Sequence, residues 1–168
     1  MLRLLLLVLS CLLAQALPKA QAQAQSASGY SVSLSWVGAD GVVVETMTLA
    51  VKDLESERSR NITTSTPWTT GIKRFSGPLL RDLAALRRFP VTTIEVNALN
   101  DYSAVIQNSD AEKYDFVLAT RIDGELIRVR DKGPLWLILP LDEKPALNSQ
   151  YYYSQMVWQV REIRFRNY

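Results

Sequence analysis

The chain has 168 residues, of which 48% are hydrophobic and 21% charged, and its formal net charge is +2 at pH 7. It contains no histidine and one cysteine, Cys11, which lies near the amino terminus. A domain that lacks Cys11 therefore has no imidazole base, no Ser-His pair, no thiolate and no disulfide.

The amino-terminal segment has the three parts of a secretory signal peptide. Arg3 precedes an apolar run over residues 4–13, and several A-x-A sites follow as far as Ala24. The run is shorter than the roughly 20 residues that span a bilayer. We predict a cleaved signal peptide over residues 1–24 and a mature domain over residues 25–168, with an uncleaved anchor helix as the alternative. A domain without disulfides fits export to a bacterial periplasm.

Charge argues against nucleic acid as a partner of the mature domain. Arg3 and Lys19 are the charged residues before residue 25, and their removal leaves 17 basic and 17 acidic residues. Because nucleic-acid binding depends on clustered excess positive charge, a neutral domain is not expected to bind it.

The first half of the mature domain reads as strands followed by a helix. Alternation from Tyr30 to Trp36 predicts a strand, and a turn at residues 38–41 leads to a returning strand over residues 42–51. A charged loop over residues 53–60 and a short strand over residues 61–65 follow. We expect Ser76 or Gly77 to cap a helix that begins near Pro78 and ends at Arg88.

The second half reads mainly as strands. Residues 91–96 and the apolar residues 135–139 are predicted strands, and residues 116–121 and 125–129 flank a hairpin turn at Asp123-Gly124. Residues 156–165 alternate with a change of phase near Arg161, which indicates a β-bulge. About eight strands with one or two helices and no regular βαβ repeat predict a mixed α+β domain.

Several chemistries lack the residues they need. The carboxylates Asp101, Asp110 and Asp115 are not spaced like a calcium loop or a glycosidase pair. The seven glycines stand alone at turns, so no phosphate-binding loop is present. This indicates a protein that binds a molecule and is not an enzyme.

Three segments together resemble the molybdopterin-binding domain of the sulfite oxidase family. They are T-S-T-P-W at residues 64–68 leading to F-S-G-P-L-L-R-D-L at residues 75–83, N-A-L-N-D-Y at residues 97–102, and L-A-T-R at residues 118–121 running to K-G-P-L-W at residues 132–136. The likeness covers roughly residues 45–165. It implies an α+β fold with a mixed sheet, barrel-like in shape and with few helices.

The chain departs from that family at the residues that would bind the metal. Enzymes of this fold bind molybdenum through a cysteine after the strand that here ends in Thr64-Ser65-Thr66, and a hydroxyl cannot replace a thiolate as a soft ligand. The family's histidine near the late G-x-P element is also missing, since Asp131-Lys132 precedes Gly133. The resemblance therefore implies the fold without molybdenum.

The chain is more similar to small periplasmic pterin-binding regulators with this fold. That likeness implies that it binds a pterin, in a reduced form, and acts on the periplasmic part of an inner-membrane enzyme that makes or degrades cyclic di-GMP. The alternatives are a molybdopterin-dependent oxidoreductase or a subunit of one, and an adaptor that binds only protein.

A pterin needs aromatic faces, a carboxylate or amide against its N–H groups, and a cation near its carbonyl. The residues predicted to bind it are Trp68 for stacking, Asn100, Asp101 and Tyr102 in one loop, the cations Arg121 and Lys132, and Ser65 and Trp136. Several also have a structural interpretation: a loop aromatic folded on the core for Trp68, an ordinary turn for Asn100-Asp101, a salt bridge or an exposed hairpin position for Arg121, and core packing for Trp136.

A further candidate site consists of the three tyrosines at residues 151–153 together with Trp158. They are interpreted either as a patch that docks a partner or as a loop packed on the sheet edge.

Overall fold

The computed structural model describes residues 29–55 and 59–167. The predicted signal peptide lies outside these residues, as do residues 56–58 of the predicted charged loop. Within the described residues, no helix combines the length and the apolar character that crossing a bilayer would require.

The described residues form eleven strands and four short helices. The strands are β1 Ser31–Val37, β2 Val43–Ala50, β3 Arg60–Thr64, β4 Lys73–Gly77, β5 Thr93–Ala98, β6 Ser103–Gln107, β7 Val117–Ala119, β8 Arg121–Ile122, β9 Glu125–Leu126, β10 Trp136–Ile138 and β11 Val160–Arg166. The helices are α1 Val51–Leu54, α2 Leu80–Ala84, α3 Asn108–Lys113 and α4 Gln150–Tyr153.

The largest sheet has five strands in the order β2-β1-β11-β5-β6. β11 runs parallel to β1 and antiparallel to β5, and the other pairs are antiparallel. Alternate side chains of β1 are fully buried, and the ring of Trp36 lies 5.2 Å from that of Phe165 on β11. The Trp36 indole N–H donates to the Ala84 carbonyl at 3.3 Å, which ties α2 to this sheet.

The remaining strands form a four-stranded sheet, β3-β4-β8-β9, and a pair, β10-β7. Main-chain hydrogen bonds join the two, because the N–H groups of Leu118 and Thr120 donate to the carbonyls of Pro78 and Ser76, each at 2.9 Å. The predicted mixed α+β class with few helices is confirmed. The barrel-like shape is not found, because the sheets of the described residues form no closed barrel.

The prediction for the helix start is wrong. Ser76 and Gly77 belong to β4, and α2 spans Leu80–Ala84, with no side-chain hydrogen bond capping its start. A Cβ atom on Gly77 would lie 2.0 Å from the Leu118 carbonyl oxygen. The glycine therefore permits close approach of two backbones, and the sequence signal was mistaken for a helix cap.

Several local predictions are confirmed. Asp123 and Gly124 form the turn between β8 and β9, and the register of β11 shifts between Val160 and Glu162, which is the predicted bulge. The predicted strand over residues 116–121 instead divides at Thr120 into β7, which pairs with β10, and β8, which pairs with β4. The sequence analysis missed β4, β6, α3 and α4, and α1 begins within the predicted strand over residues 42–51. The predicted helix also ends earlier than Arg88, at Ala84.

Candidate functional site

A cleft of about 180 Å³ lies where three separate loops meet. Its walls come from the turn after β3, the loop after β5, and α4 with the segment that follows it. We call it the aromatic cleft, and its lining consists of Trp68, Asn100, Tyr102, Gln150, Tyr153, Ser154, Met156, Val157 and Trp158.

Trp68 forms one wall of the aromatic cleft. Its position is set by the turn after β3, where the Trp68 backbone N–H donates to the Thr66 hydroxyl at 3.2 Å. The Trp68 ring lies 5.5 Å from that of Trp158 and 6.2 Å from that of Tyr153, at steep angles to both. Because 37% of Trp68 stays exposed, one part of the ring packs while the rest is accessible to a flat ligand.

Trp136 lies beneath this cluster, within the core. It is 1% exposed, its indole N–H donates to the Met156 carbonyl at 3.1 Å, and its ring stands edge-on to Phe75 at 5.7 Å. The Trp136 ring also lies 6.2 Å from that of Trp68. Trp136 thus has the packing role that the sequence left open, and it supports the cleft without lining it.

Lys132 supplies a cation beside the aromatic cleft. Its ammonium nitrogen lies 5.0 Å from the ring centroid of Trp158 and 5.7 Å from that of Trp136, within the range of a cation–π interaction. The backbone of Lys132 itself is left-handed, with φ of 76°, and it turns the chain just before Gly133.

The loop after β5 separates the three residues predicted there. Asn100 and Tyr102 line the aromatic cleft, and the Tyr102 hydroxyl donates to the Ser154 carbonyl at 2.7 Å, which joins two of its walls. Asp101 has a positive φ of 63°, and its carboxylate lies 3.1 Å from the Arg161 guanidinium. The Asp101 side chain is 85% exposed and does not line the cleft.

Ser65 also lies outside the lining, where it is bonded to Asp142. The Ser65 hydroxyl and backbone N–H donate to the two carboxylate oxygens at 2.6 and 2.8 Å. These hydrogen bonds hold the pKa of Asp142 below its ordinary value. The backbone N–H of Asp142 in turn donates to the Thr64 hydroxyl at 3.1 Å. The hydroxyls of Thr64 and Ser65 are thus both used within the protein.

Arg121 is held in a salt bridge. Its Nε and Nη2 atoms lie 2.6 and 3.1 Å from the two carboxylate oxygens of Glu55, and Nη1 donates to the Gly124 carbonyl at 2.8 Å. The hydrogen bonds with Glu55 raise the pKa of Arg121. Arg121 does not line the aromatic cleft, so its structural interpretation accounts for its contacts.

The tyrosines of α4 divide between two environments. Tyr153 faces the aromatic cleft with Trp158, whereas Tyr151 and Tyr152 stack edge-on at 4.9 Å, and Tyr152 contacts Tyr114 at 5.8 Å. Burial raises the pKa of Tyr152 to about 12. The sequence analysis predicted an aromatic patch here but did not connect it with Trp68.

Within the described residues, no group of three or more His, Cys, Asp or Glu side chains could hold a metal ion. In comparisons with known proteins, no protein-family model matches the chain, and no curated protein is significantly similar to it in sequence.

Proposed function

We propose that this chain is a periplasmic pterin-binding protein that regulates a membrane-bound cyclic-di-GMP enzyme through that enzyme's periplasmic region. The proposal adopts the fold of the sulfite oxidase family's molybdopterin-binding domain without its metal-binding cysteine. The observation that carries it is the aromatic cleft, in which the half-exposed ring of Trp68 stands beside Trp158 and Tyr153.

The volume of the cleft supports a small flat ligand. A cavity of about 150 Å³ holds one benzene ring, whereas drug-sized ligands occupy about 300–1,000 Å³. The 180 Å³ of the aromatic cleft, which is open on one side, therefore suits a bicyclic ring whose substituents extend into solvent.

The polar groups of the cleft support a neutral heterocycle. Asn100 and Gln150 each carry an amide with donors and an acceptor, which match the alternating groups on the edge of a pterin. Among the described residues that line the cleft there is no carboxylate. The amides are thus expected to read the ring edge, while Lys132 favours a carbonyl or an anionic substituent near Trp158.

Titration of the purified protein with a reduced pterin tests the proposal. Three of the four tryptophans stand in or beside the cleft, so binding should quench the intrinsic fluorescence. Trp68→Ala should weaken binding by about tenfold or more, since stacking on one aromatic ring is worth about 1–3 kcal/mol. The matched control is Tyr151→Ala, which removes an exposed aromatic outside the cleft lining and should leave affinity unchanged.

Two results would contradict the proposal. One is a calorimetric titration in which no oxidised or reduced pterin binds. The other is stoichiometric molybdenum in protein isolated from its native compartment, which would favour the oxidoreductase alternative. The regulatory part is tested separately, because pterin-loaded protein should bind the periplasmic region of its membrane enzyme more tightly than pterin-free protein.

A further inference from the structure

Strand β2 is an edge of the main sheet. β1 pairs with one side of β2 along its length, and among the described residues no strand pairs with the other side. An unpaired strand presents a row of free N–H and C=O groups, with which a further strand can form hydrogen bonds. We call this unpaired side, with the side chains of residues 42–50, the β2 edge.

The β2 edge lacks the features that usually protect an exposed strand. Natural edge strands are short or carry charges, lysine above all, or proline. β9 has two residues and β3 begins with Arg60, whereas β2 has eight residues and Glu45 as its single charged residue. The Glu45 carboxylate lies 2.6 Å from the Arg87 guanidinium, so its charge is balanced within the protein. The β2 edge therefore presents no net charge that would repel another strand.

Exposed apolar side chains lie where this edge begins. Val42, Val43 and Val44 are 59%, 53% and 64% exposed, and no other exposed large hydrophobic residues in the described part of the chain are consecutive in sequence. Valine is a residue that favours strands, and pairing with another strand would remove this apolar surface from water. Hydrogen-bonding groups and apolar side chains thus both favour strand addition here.

No undescribed segment of the predicted mature domain is long enough to cover the β2 edge. Those segments are residues 25–28, 56–58 and 168. Four extended residues reach about 14 Å, whereas a strand along the eight residues of β2 spans about 26 Å. With the leader cleaved as predicted, the strand that covers this edge comes from another molecule.

We propose that the β2 edge pairs with the β2 edge of a second copy of this chain, antiparallel, about a twofold axis at Thr46. Thr46 then faces Thr46 of the second copy, and Glu45 faces Met47. Val44 faces Thr48, so no like charges are opposed. This register uses all of residues 42–50, whereas a register centred on Glu45 would oppose two carboxylates. The contact is isologous and closes as a dimer, in which two five-stranded sheets join into one of ten strands.

Sedimentation velocity of the exported protein over a range of concentrations tests the dimer. Wild-type protein should approach twice the monomer mass as concentration rises. Val44→Lys should weaken dimerisation by about tenfold or more, because a lysine on an edge strand opposes pairing. The matched control is Val105→Lys. Val105 is 55% exposed on β6, the opposite edge of the same sheet, so its substitution should leave the dimer unchanged.

A disulfide at the axis tests the register. Cys11 is the only cysteine of the chain, so Thr46→Cys combined with Cys11→Ser leaves a single thiol. Residues directly opposite on antiparallel strands have Cα atoms about 4.5–5.5 Å apart, a distance that a disulfide can bridge. Mild oxidation of dilute protein should therefore give covalent dimers. Val105→Cys in the same Cys11→Ser background is the control and should stay monomeric.

Dimers that Val44→Lys weakens and Val105→Lys does not, with crosslinking through Thr46→Cys, support the proposal. A monomer at every concentration overturns it and would leave this edge to a strand of a different protein. Equal weakening by the two lysine substitutions also overturns it, since that result indicates β2-to-β6 pairing in an open chain of copies. Failure of Thr46→Cys to crosslink faster than Val105→Cys overturns the register.

The inference is independent of the proposed function. No residue of β2 lines the aromatic cleft, so Val44→Lys should bind a reduced pterin as tightly as wild-type protein does. Both lysine variants change exposed side chains and should fold, which circular dichroism can check.

Discussion

The aromatic cleft and the turn at Ser65 both contain residues that the sequence predicts to bind a ligand. They differ in whether those side chains are already bonded within the protein. In the cleft, Trp68 keeps part of its ring accessible. At the turn, the hydroxyl and N–H of Ser65 are both bonded to Asp142. A side chain whose bonds are completed within the protein has little left to offer a ligand, so completeness of internal bonding separates binding residues from structural ones.

The two predicted cations repeat this contrast. Arg121 uses three donor nitrogens on Glu55 and Gly124. Lys132 instead holds its ammonium group near two aromatic rings, and no salt bridge involves it among the described residues. Of the two, Lys132 is therefore the cation that remains available to a bound molecule.

The largest expected effect is on the free energy of unfolding, and it distinguishes Trp136 in the core from Trp68 in the cleft. Trp136→Ala should lower the free energy of unfolding by about 3–5 kcal/mol, because it leaves a large cavity and unsatisfied carbonyl of Met156. Trp68→Ala should lower the free energy of unfolding by about 2 kcal/mol, since its ring is only partly buried. Urea denaturation of both variants measures the difference, and equal losses would mean that Trp68 belongs to the core.

The next largest effect is on pterin affinity, and it rests on the proposed function. It compares Asn100 with its neighbour Asp101 in the loop after β5. Asn100→Ala should weaken pterin binding by about tenfold, or roughly 1.4 kcal/mol, because one hydrogen-bonding amide is removed. Asp101→Asn keeps a residue type that tolerates positive φ and removes only the charge, so affinity should remain within about twofold. Calorimetry compares the two. The reverse result would assign the carboxylate to the ligand.

The smallest effect concerns the Ser65 turn. The hydrogen bonds from Ser65 lower the pKa of Asp142 from its ordinary value of 3.8, so this carboxylate stabilises the fold above that pH and the contribution is lost as pH falls through the lowered pKa. Ser65→Ala should raise the pKa of Asp142 toward the ordinary value. An NMR titration of the carboxyl carbon measures the change, and an unaltered pKa would mean that the backbone N–H alone is responsible.

Local signals in the sequence were sufficient for the features that neighbouring residues determine. Alternation located β1, Asp123-Gly124 located its hairpin, and a change of phase located the bulge in β11. Ser76 and Gly77 were misread because their role depends on Leu118, which approaches from 41 residues away. A helix-start pattern and a close strand crossing use the same small residues, and only the tertiary fold distinguishes them.

The candidate site was predictable to a similar degree. Trp68, Asn100 and Tyr102 were identified by residue type and line the cleft. The pairing of Trp68 with Trp158 depends on two loops 90 residues apart in sequence, and no local pattern reports it. Asp101 was expected beside its neighbours, but the positive φ of its backbone turns the carboxylate toward Arg161.

The position of β11 in the main sheet has a consequence for how the protein is made. Strands β1 and β2 form one hairpin and β5 and β6 another, and each can form from nearby residues. Among the strands of the described residues, β11 alone joins them, pairing Ser33 with Glu162 across most of the chain. Because β11 ends at Arg166, the two hairpins remain unjoined until translation has passed that residue, and such distant contacts then form slowly. The main sheet is therefore among the last parts of the described structure to be completed.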